Sequence, residues 1–256
     1  TKTIPNNTFE GCSGLKSFTI PEQITIIEEQ AFKSSGLESI TIPTSITEIK
    51  SEAFSNCKGL ETLTYPAKQI TVNPNIFTDC DSLDTLTIYS SGEFTAIPDY
   101  EENKQPWNAV KERLSTITID DNVKTIGKNS FVGTSITTID LKKVETIGEY
   151  AFASSGLTTI EIKEKVTTIK TEAFARCESL ETIKYPVSIT TGSPDMFNQS
   201  NNIHTLTIYS IEGKTEMKSY ETDQQPWNSI KKNEKFKTII IEEGVTIIGG
   251  NAFQGA

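Results

Sequence analysis

The sequence is poor in the residues that do chemistry. Its 256 residues include one histidine, four cysteines, two tryptophans and two methionines. A single histidine leaves little material for acid–base catalysis or zinc, and no Cys-x-x-Cys pair occurs. Basic residues are in the minority, 24 Lys and Arg against 34 Asp and Glu, for a net charge of −10. That balance argues against nucleic acid, whose phosphates call for a basic stripe. Apolar runs stop far short of the ~20 residues that span a bilayer, so no membrane insertion is expected. No charged segment followed by an apolar stretch opens the chain, so a secretory leader is either lacking or removed. The acidic pairs Asp79-Cys-Asp81 and Asp120-Asp121 lack the alternation and glycine of a calcium loop. His204 has no nucleophile motif near it. The expectation is a non-enzyme with no catalytic, cofactor or metal residues.

What the sequence has is a period. Phenylalanine recurs at Phe9, Phe32, Phe54 and Phe77, then at Phe131, Phe152, Phe174 and Phe197, and again at Phe253. The spacing is 21–23 residues except for two long gaps, which Trp107 and Trp227 divide. These eleven residues read as core anchors. Most are followed by a strand-like pattern, such as Leu37-Glu-Ser-Ile40-Thr-Ile42-Pro43 or Leu60-Glu-Thr-Leu63-Thr-Tyr65-Pro66. Ten such openings occur, and a second short segment such as Ile46-Thr-Glu-Ile49 leads to the next anchor. A unit of about 22 residues exposes two apolar edges that only stacked neighbours can bury, the signature of a solenoid. The expected fold is a β-rich α/β solenoid, right-handed, with one parallel sheet of about ten strands and short helical or irregular turns opposite. Gly127, Gly148 and Gly249 stand four residues before their anchors, where a tight bend is expected.

A longer period overlies the short one. Phe32, Phe54, Phe77 and Trp107 map onto Phe152, Phe174, Phe197 and Trp227 with an offset of 120. Gln105-Pro-Trp-Asn108 recurs as Gln225-Pro-Trp-Asn228. The chain therefore reads as two tandem five-rung blocks, roughly 1–122 and 123–256, in one continuous domain over 1–256. Both ends fall at nearly the same phase of the repeat without a polar cap. That leads to the expectation of a longer array or of end-to-end self-association.

The units Glu52-Ala-Phe54-Ser-Asn-Cys57-Lys-Gly-Leu60 and Glu172-Ala-Phe174-Ala-Arg-Cys177-Glu-Ser-Leu180 resemble the BspA-like, or Treponema-type, leucine-rich repeats. The resemblance covers essentially the whole chain; the expanded rungs around Trp107 and Trp227 depart from the consensus in length. It implies a leucine-rich repeat stack and a non-catalytic extracellular or cell-surface protein acting in adhesion or protein recognition. A protein or glycoprotein partner, host-derived ones included, goes with that reading. The alternative is a structural spacer that projects another domain from a surface.

Candidate contacts come from two places. The first outward strand position carries only Ser or Thr, from Ser17 to Thr238, and the second carries Thr in the first block but Asp140, Glu161 and Lys184 in the second. Threonine packs well beside itself across strands, so strand propensity alone accounts for part of this. As a ligand-contact sheet the candidates are Thr62, Thr64, Thr85, Thr87, Thr182 and Lys184. The inserts add Tyr100-Glu101 and Tyr220-Glu221, whose tyrosines read as freer of the core than the tryptophans. Cys12, Cys57, Cys80 and Cys177 each follow an anchor by three residues, and that shared phase reads as buried packing, although Cys57 and Cys80 fall on neighbouring rungs where a disulfide is geometrically possible.

Overall fold

The computed structural model describes residues 2–73, 75–189, 191–231 and 233–256. The chain divides into two compact units, Thr1–Val123 and Lys124–Ala256. Each is a parallel β-solenoid of stacked coils, and each carries two four-stranded parallel sheets.

In the first unit the anchors set the stack. Phe9, Phe32, Phe54 and Phe77 pile ring on ring, with centroids 4.9, 5.1 and 5.4 Å apart and interplanar angles of 17°, 6° and 19°. That spacing is close to the ~4.8 Å between hydrogen-bonded strands, so a ring in every coil fills its own layer. The strands are β1 (Lys2–Ile4), β2 (Ile24–Ile27), β3 (Ser39–Thr41), β4 (Glu48–Ile49), β5 (Thr62–Pro66), β6 (Thr71–Val72), β7 (Thr85–Tyr89) and β8 (Thr116–Ile119). The Leu-x-x-Ile-x-Ile segments form the sheet β3-β5-β7-β8, and the short segments before the anchors form β1-β2-β4-β6. Period two sends Leu63, Leu86 and Ile117 inward and the threonines beside them outward.

The second unit repeats this plan with β9 (Thr125–Ile126), β10 (Thr146–Ile147), β11 (Thr159–Glu161), β12 (Thr168–Ile169), β13 (Thr182–Pro186), β14 (Thr191–Gly192), β15 (Thr205–Tyr209) and β16 (Thr238–Ile241). Its sheets run β14-β12-β10-β9 and β11-β13-β15-β16. Phe152 and Phe174 stack at 5.4 Å and 2°, and Trp227 stacks on Phe253 at 5.4 Å and 23°, so tryptophan takes the anchor's place in an expanded coil. On the last coil Ile240, Ile247 and Ile248 are 45–50% exposed.

Two sequence expectations are corrected here. The sheets number four rather than one of ten strands, because the two-residue segments such as Glu48–Ile49 pair coil to coil on their own. The openings at residues 17–19 and 138–140 do not enter a regular strand. The fold is also not α/β: among the described residues the helical content is two 3-10 turns, Asn108–Val110 and Asn228–Ile230. The turn at most phenylalanine anchors is built instead from left-handed residues two before and two after it. Gln30 and Ser34 flank Phe32, Glu52 and Asn56 flank Phe54, and Glu172 and Arg176 flank Phe174, all at φ 52–56°. These non-glycine residues hold that strained region because the next coil takes their amides: Gln30 N–H donates to Ser51 O at 3.1 Å and Ser34 N–H to Ser55 O at 2.9 Å.

The position three residues after most phenylalanine anchors carries a small donor. Cys57 Sγ donates to Phe32 O and Cys80 Sγ to Phe54 O, both at 3.1 Å; Cys177 Sγ donates to Phe152 O at 3.2 Å and Ser200 Oγ to Phe174 O at 2.7 Å. Each spans from its own coil to the carbonyl of the preceding anchor. Those three cysteines are buried. Cys12, in the first described coil, is exposed, a departure from its expected packing role.

Candidate binding surface

The outward face of β3-β5-β7-β8 is a lattice of hydroxyls. The strand registers place Ser39, Thr62, Thr85 and Thr116 in one column and Thr41, Thr64, Thr87 and Thr118 in a second. Neighbours within a column are separated by the strand spacing, ~4.8 Å, and the two columns by two residues of rise, ~6.6 Å. All eight are exposed or half-buried, while Ile40, Leu63, Leu86 and Ile117 between them are in the core. The frame is stiff. Tyr89 reaches back two coils, its hydroxyl donating to Ile42 O at 2.9 Å, and Tyr209 does the same to Ile162 O at 2.6 Å in the second unit.

The matching sheet of the second unit keeps only one such column. Thr159, Thr182, Thr205 and Thr238 are in register, and Thr182 Oγ1 donates to Thr159 Oγ1 at 2.8 Å. Beside them run Glu161, Lys184, Thr207 and Ile240. Lys184 is engaged already: its Nζ lies 2.9 Å from Glu242 and 4.9 Å from the centre of the Tyr209 ring. The two faces are therefore chemically distinct.

The expanded coils show what sequence reasoning missed. Tyr100 is only 6% exposed and meets Trp107 edge-on at 5.8 Å and 78°; Tyr65 meets the same indole at 5.8 Å and 85°. Tyr185 and Tyr220 bracket Trp227 in the same way, at 5.6 and 5.7 Å. Tyr100 is thus a core residue and not an accessible contact, since an expanded coil has to fill the volume that a second ring would otherwise occupy. Tyr220 is half-buried, and Glu101 and Glu221 are exposed. The recurrence of Tyr100 and Tyr220 seven residues before Trp107 and Trp227 was the one visible signal of this packing.

Burial pushes the phenols of Tyr65, Tyr100 and Tyr185 up and that of Tyr220 up to about 12. Free tyrosine ionises near ~10. Below that pH both folded and unfolded chains keep these protons. Above it the unfolded chain releases protons that the folded one holds, so stability falls as pH rises from ~10 toward the folded values. Phenolate absorbance and loss of the β-sheet circular dichroism signal are expected to appear together. Full tyrosine ionisation near pH ~10 with the fold intact would contradict this burial.

A family model described as the BspA type leucine rich repeat region, in six copies, matches residues 1–101 and 109–224. The chain belongs to this family. Solved structures to which the chain is similar include a leucine-rich repeat protein from Bacteroides ovatus, at 21% identity and a TM-score of 0.44, covering 100% of this chain and 56% of that one. Another is a leucine rich cell surface protein from Faecalibacterium prausnitzii, at 22% identity and a TM-score of 0.38, covering 90% and 60%. A third is the pneumococcal vaccine antigen PcpA, at 16% and 0.37, covering 86% and 72%. The chain thus spans 56% and 60% of the length of the first two. No curated relative matches it. The BspA-type repeat explains the coil and its anchors. It does not by itself say what the outward faces meet.

Proposed function

We propose that this BspA-type chain is a non-catalytic recognition module, secreted or held at a cell surface, and that the hydroxyl face of its first unit is the contact surface. The observation that carries the reading is the pair of unbroken columns on β3-β5-β7-β8. Eight short side chains, each a donor, an acceptor and a methyl or methylene, stand on a stiff sheet. Ordering them on binding costs little, since the backbone is fixed and threonine is stiff at its first torsion. Such a surface suits a partner that is itself repetitive and rich in hydroxyls or amides, a glycoprotein or an extended polypeptide, and neither a phosphate nor a metal. Repeat arrays commonly bind through extended surfaces of this kind. The exposed Glu101 and Glu221 stand on the expanded coils as secondary contacts.

The experiment is direct binding of the chain to immobilised mucin and extracellular-matrix glycoproteins, with Thr64→Glu/Thr87→Glu as the test variant. Both side chains are outward, so the variant is expected to unfold within ~0.5 kcal/mol of the parent, as surface changes do. Binding is expected to fall at least ~10-fold, because each buried, unpaired carboxylate costs more than the hydroxyl it replaces. Unchanged binding with folding intact would remove this face from the proposal. Absence of binding to any surface by the parent chain would favour the spacer.

A further inference from the structure

We propose that Cys57 and Cys80 form a redox pair: when the chain folds in the presence of a small-molecule disulfide, their sulfurs join in a bond that staples two successive coils of the first unit.

The pairing follows from register. The two residues stand three positions after Phe54 and Phe77, whose rings stack at 5.4 Å and 19°. Between these coils Phe54 N–H donates to Ile76 O at 3.0 Å and Asn56 N–H to Thr78 O at 2.8 Å, which sets residue 57 opposite residue 80. Facing residues on hydrogen-bonded neighbours lie ~4.8 Å apart, inside the 4.4–6.8 Å range of Cα separations that a disulfide spans. The two sulfurs lean the same way along the stack: Cys57 Sγ lies 3.1 Å from Phe32 O on the coil before it, so closing the bond takes a turn of the Cys57 side chain toward Cys80. Cys80 Sγ lies 3.1 Å from Phe54 O, an atom of the coil that carries Cys57, so it leans toward its neighbour. The neighbouring Cys80 thiol, against burial and with help from Ser35, holds the Cys57 thiol down, and the same neighbour together with burial pushes Cys80 up.

The chemistry balances with one named oxidant. The Cys57 thiolate attacks the small disulfide, forming a mixed disulfide and releasing one small thiol. Cys80, giving up its proton, then attacks the Cys57 sulfur and releases the second. Two protein thiols are oxidised by two electrons, and one small disulfide is reduced to two thiols. Both sulfurs are wholly buried in the folded stack, so the exchange belongs to folding or to local opening of the coils. Once closed, the bond is shielded from reductant for the same reason.

The second unit supplies an internal control. The residue matching Cys57 is Cys177, but its coil neighbours are Ser155, whose Oγ lies 3.4 Å from the Cys177 sulfur, and Ser200, whose Oγ accepts from Cys177 N–H at 3.0 Å. Burial raises its thiol. Serine at both neighbours shows that the site accepts a hydroxyl in the thiol's place, so serine variants of the pair should fold.

The test is to refold the whole chain from denaturant with oxidised glutathione, remove the oxidant, denature again, alkylate and weigh. In the expected product Cys57 and Cys80 are unalkylated and their peptides are linked in a digest, while Cys12 and Cys177 are alkylated or carry glutathione. The bridged chain should melt higher than the reduced chain, because the bond closes a loop in the unfolded ensemble. Cys57→Ser and Cys80→Ser should each abolish the linked peptide and the melting shift, whereas Cys177→Ser should leave both. Four alkylated cysteines, a link through Cys12 or Cys177, or glutathione left on Cys57 or Cys80 would each overturn the pairing.

Discussion

Replacing Phe54 by alanine is expected to cost about 3–5 kcal/mol in denaturant unfolding, the usual figure for emptying a buried aromatic site. Phe54 is fully buried and has a stacked ring on either side, Phe32 at 5.1 Å and Phe77 at 5.4 Å. Its removal breaks two aromatic pairs, each contributing ~0.5–1.5 kcal/mol beyond area burial. The surrounding coil cannot collapse into the space, because its height is fixed by backbone hydrogen bonds such as Phe32 N–H to Ala53 O at 2.8 Å and Phe54 N–H to Ile76 O at 3.0 Å. Phe174→Ala makes the same test in the second unit, between Phe152 and Phe197. Phe9→Ala should cost less, since Phe9 is only half-buried at the first coil. A loss under ~1 kcal/mol at Phe54 would mean that the ladder of rings is not what holds the stack.

The ladder was legible in the sequence because one large aromatic per coil is a strong signal at a fixed interval, and the tryptophans keep its phase. The lattice of threonines was legible for a similar reason: period two on strands of constant phase puts equivalent residues in one column. Other features left little trace. The two-residue segments at Glu48–Ile49 and Thr168–Ile169 are too short to read as strands, yet they pair because stacking brings identical segments into register. The left-handed positions at Gln30, Tyr150 and Arg176 are neither glycine nor asparagine, since the hydrogen bonds that enforce them come from the next coil. Tyr100 looked free because it lies in an insert outside the repeat, where it packs on Trp107, which Tyr65 of another coil meets as well. What a face of hydroxyls binds is not written in its spacing; that depends on the partner.

Gly148 was legible as special, but for a different reason from the one its position suggests. The sequence points to a tight bend, yet Gly148 is not among the glycines with positive φ. Its neighbour in the stack explains it. A Cβ built on Gly148 would stand 2.6 Å from Gly127 C, 2.7 Å from Lys128 N and 2.8 Å from Ile126 O. All three are backbone atoms, so no flexible side chain can swing aside. The coils meet there without a side chain between them, with Gly148 N–H donating to Ile126 O at 2.8 Å. Gly148→Ala must push the two coils apart or tilt one of them, and overpacking of this kind costs about 1–3 kcal/mol. The matched control is Lys170→Ala, at the same position before the next anchor, Phe174. Lys170 is exposed and already carries a side chain, so its truncation should stay within ~0.5 kcal/mol. Measured by denaturant unfolding, the two variants should therefore separate, with the smaller chemical change at Gly148 giving the larger loss. Equal effects would show that the coils can part at Gly148 without cost, and that close backbone approach is not why glycine stands there.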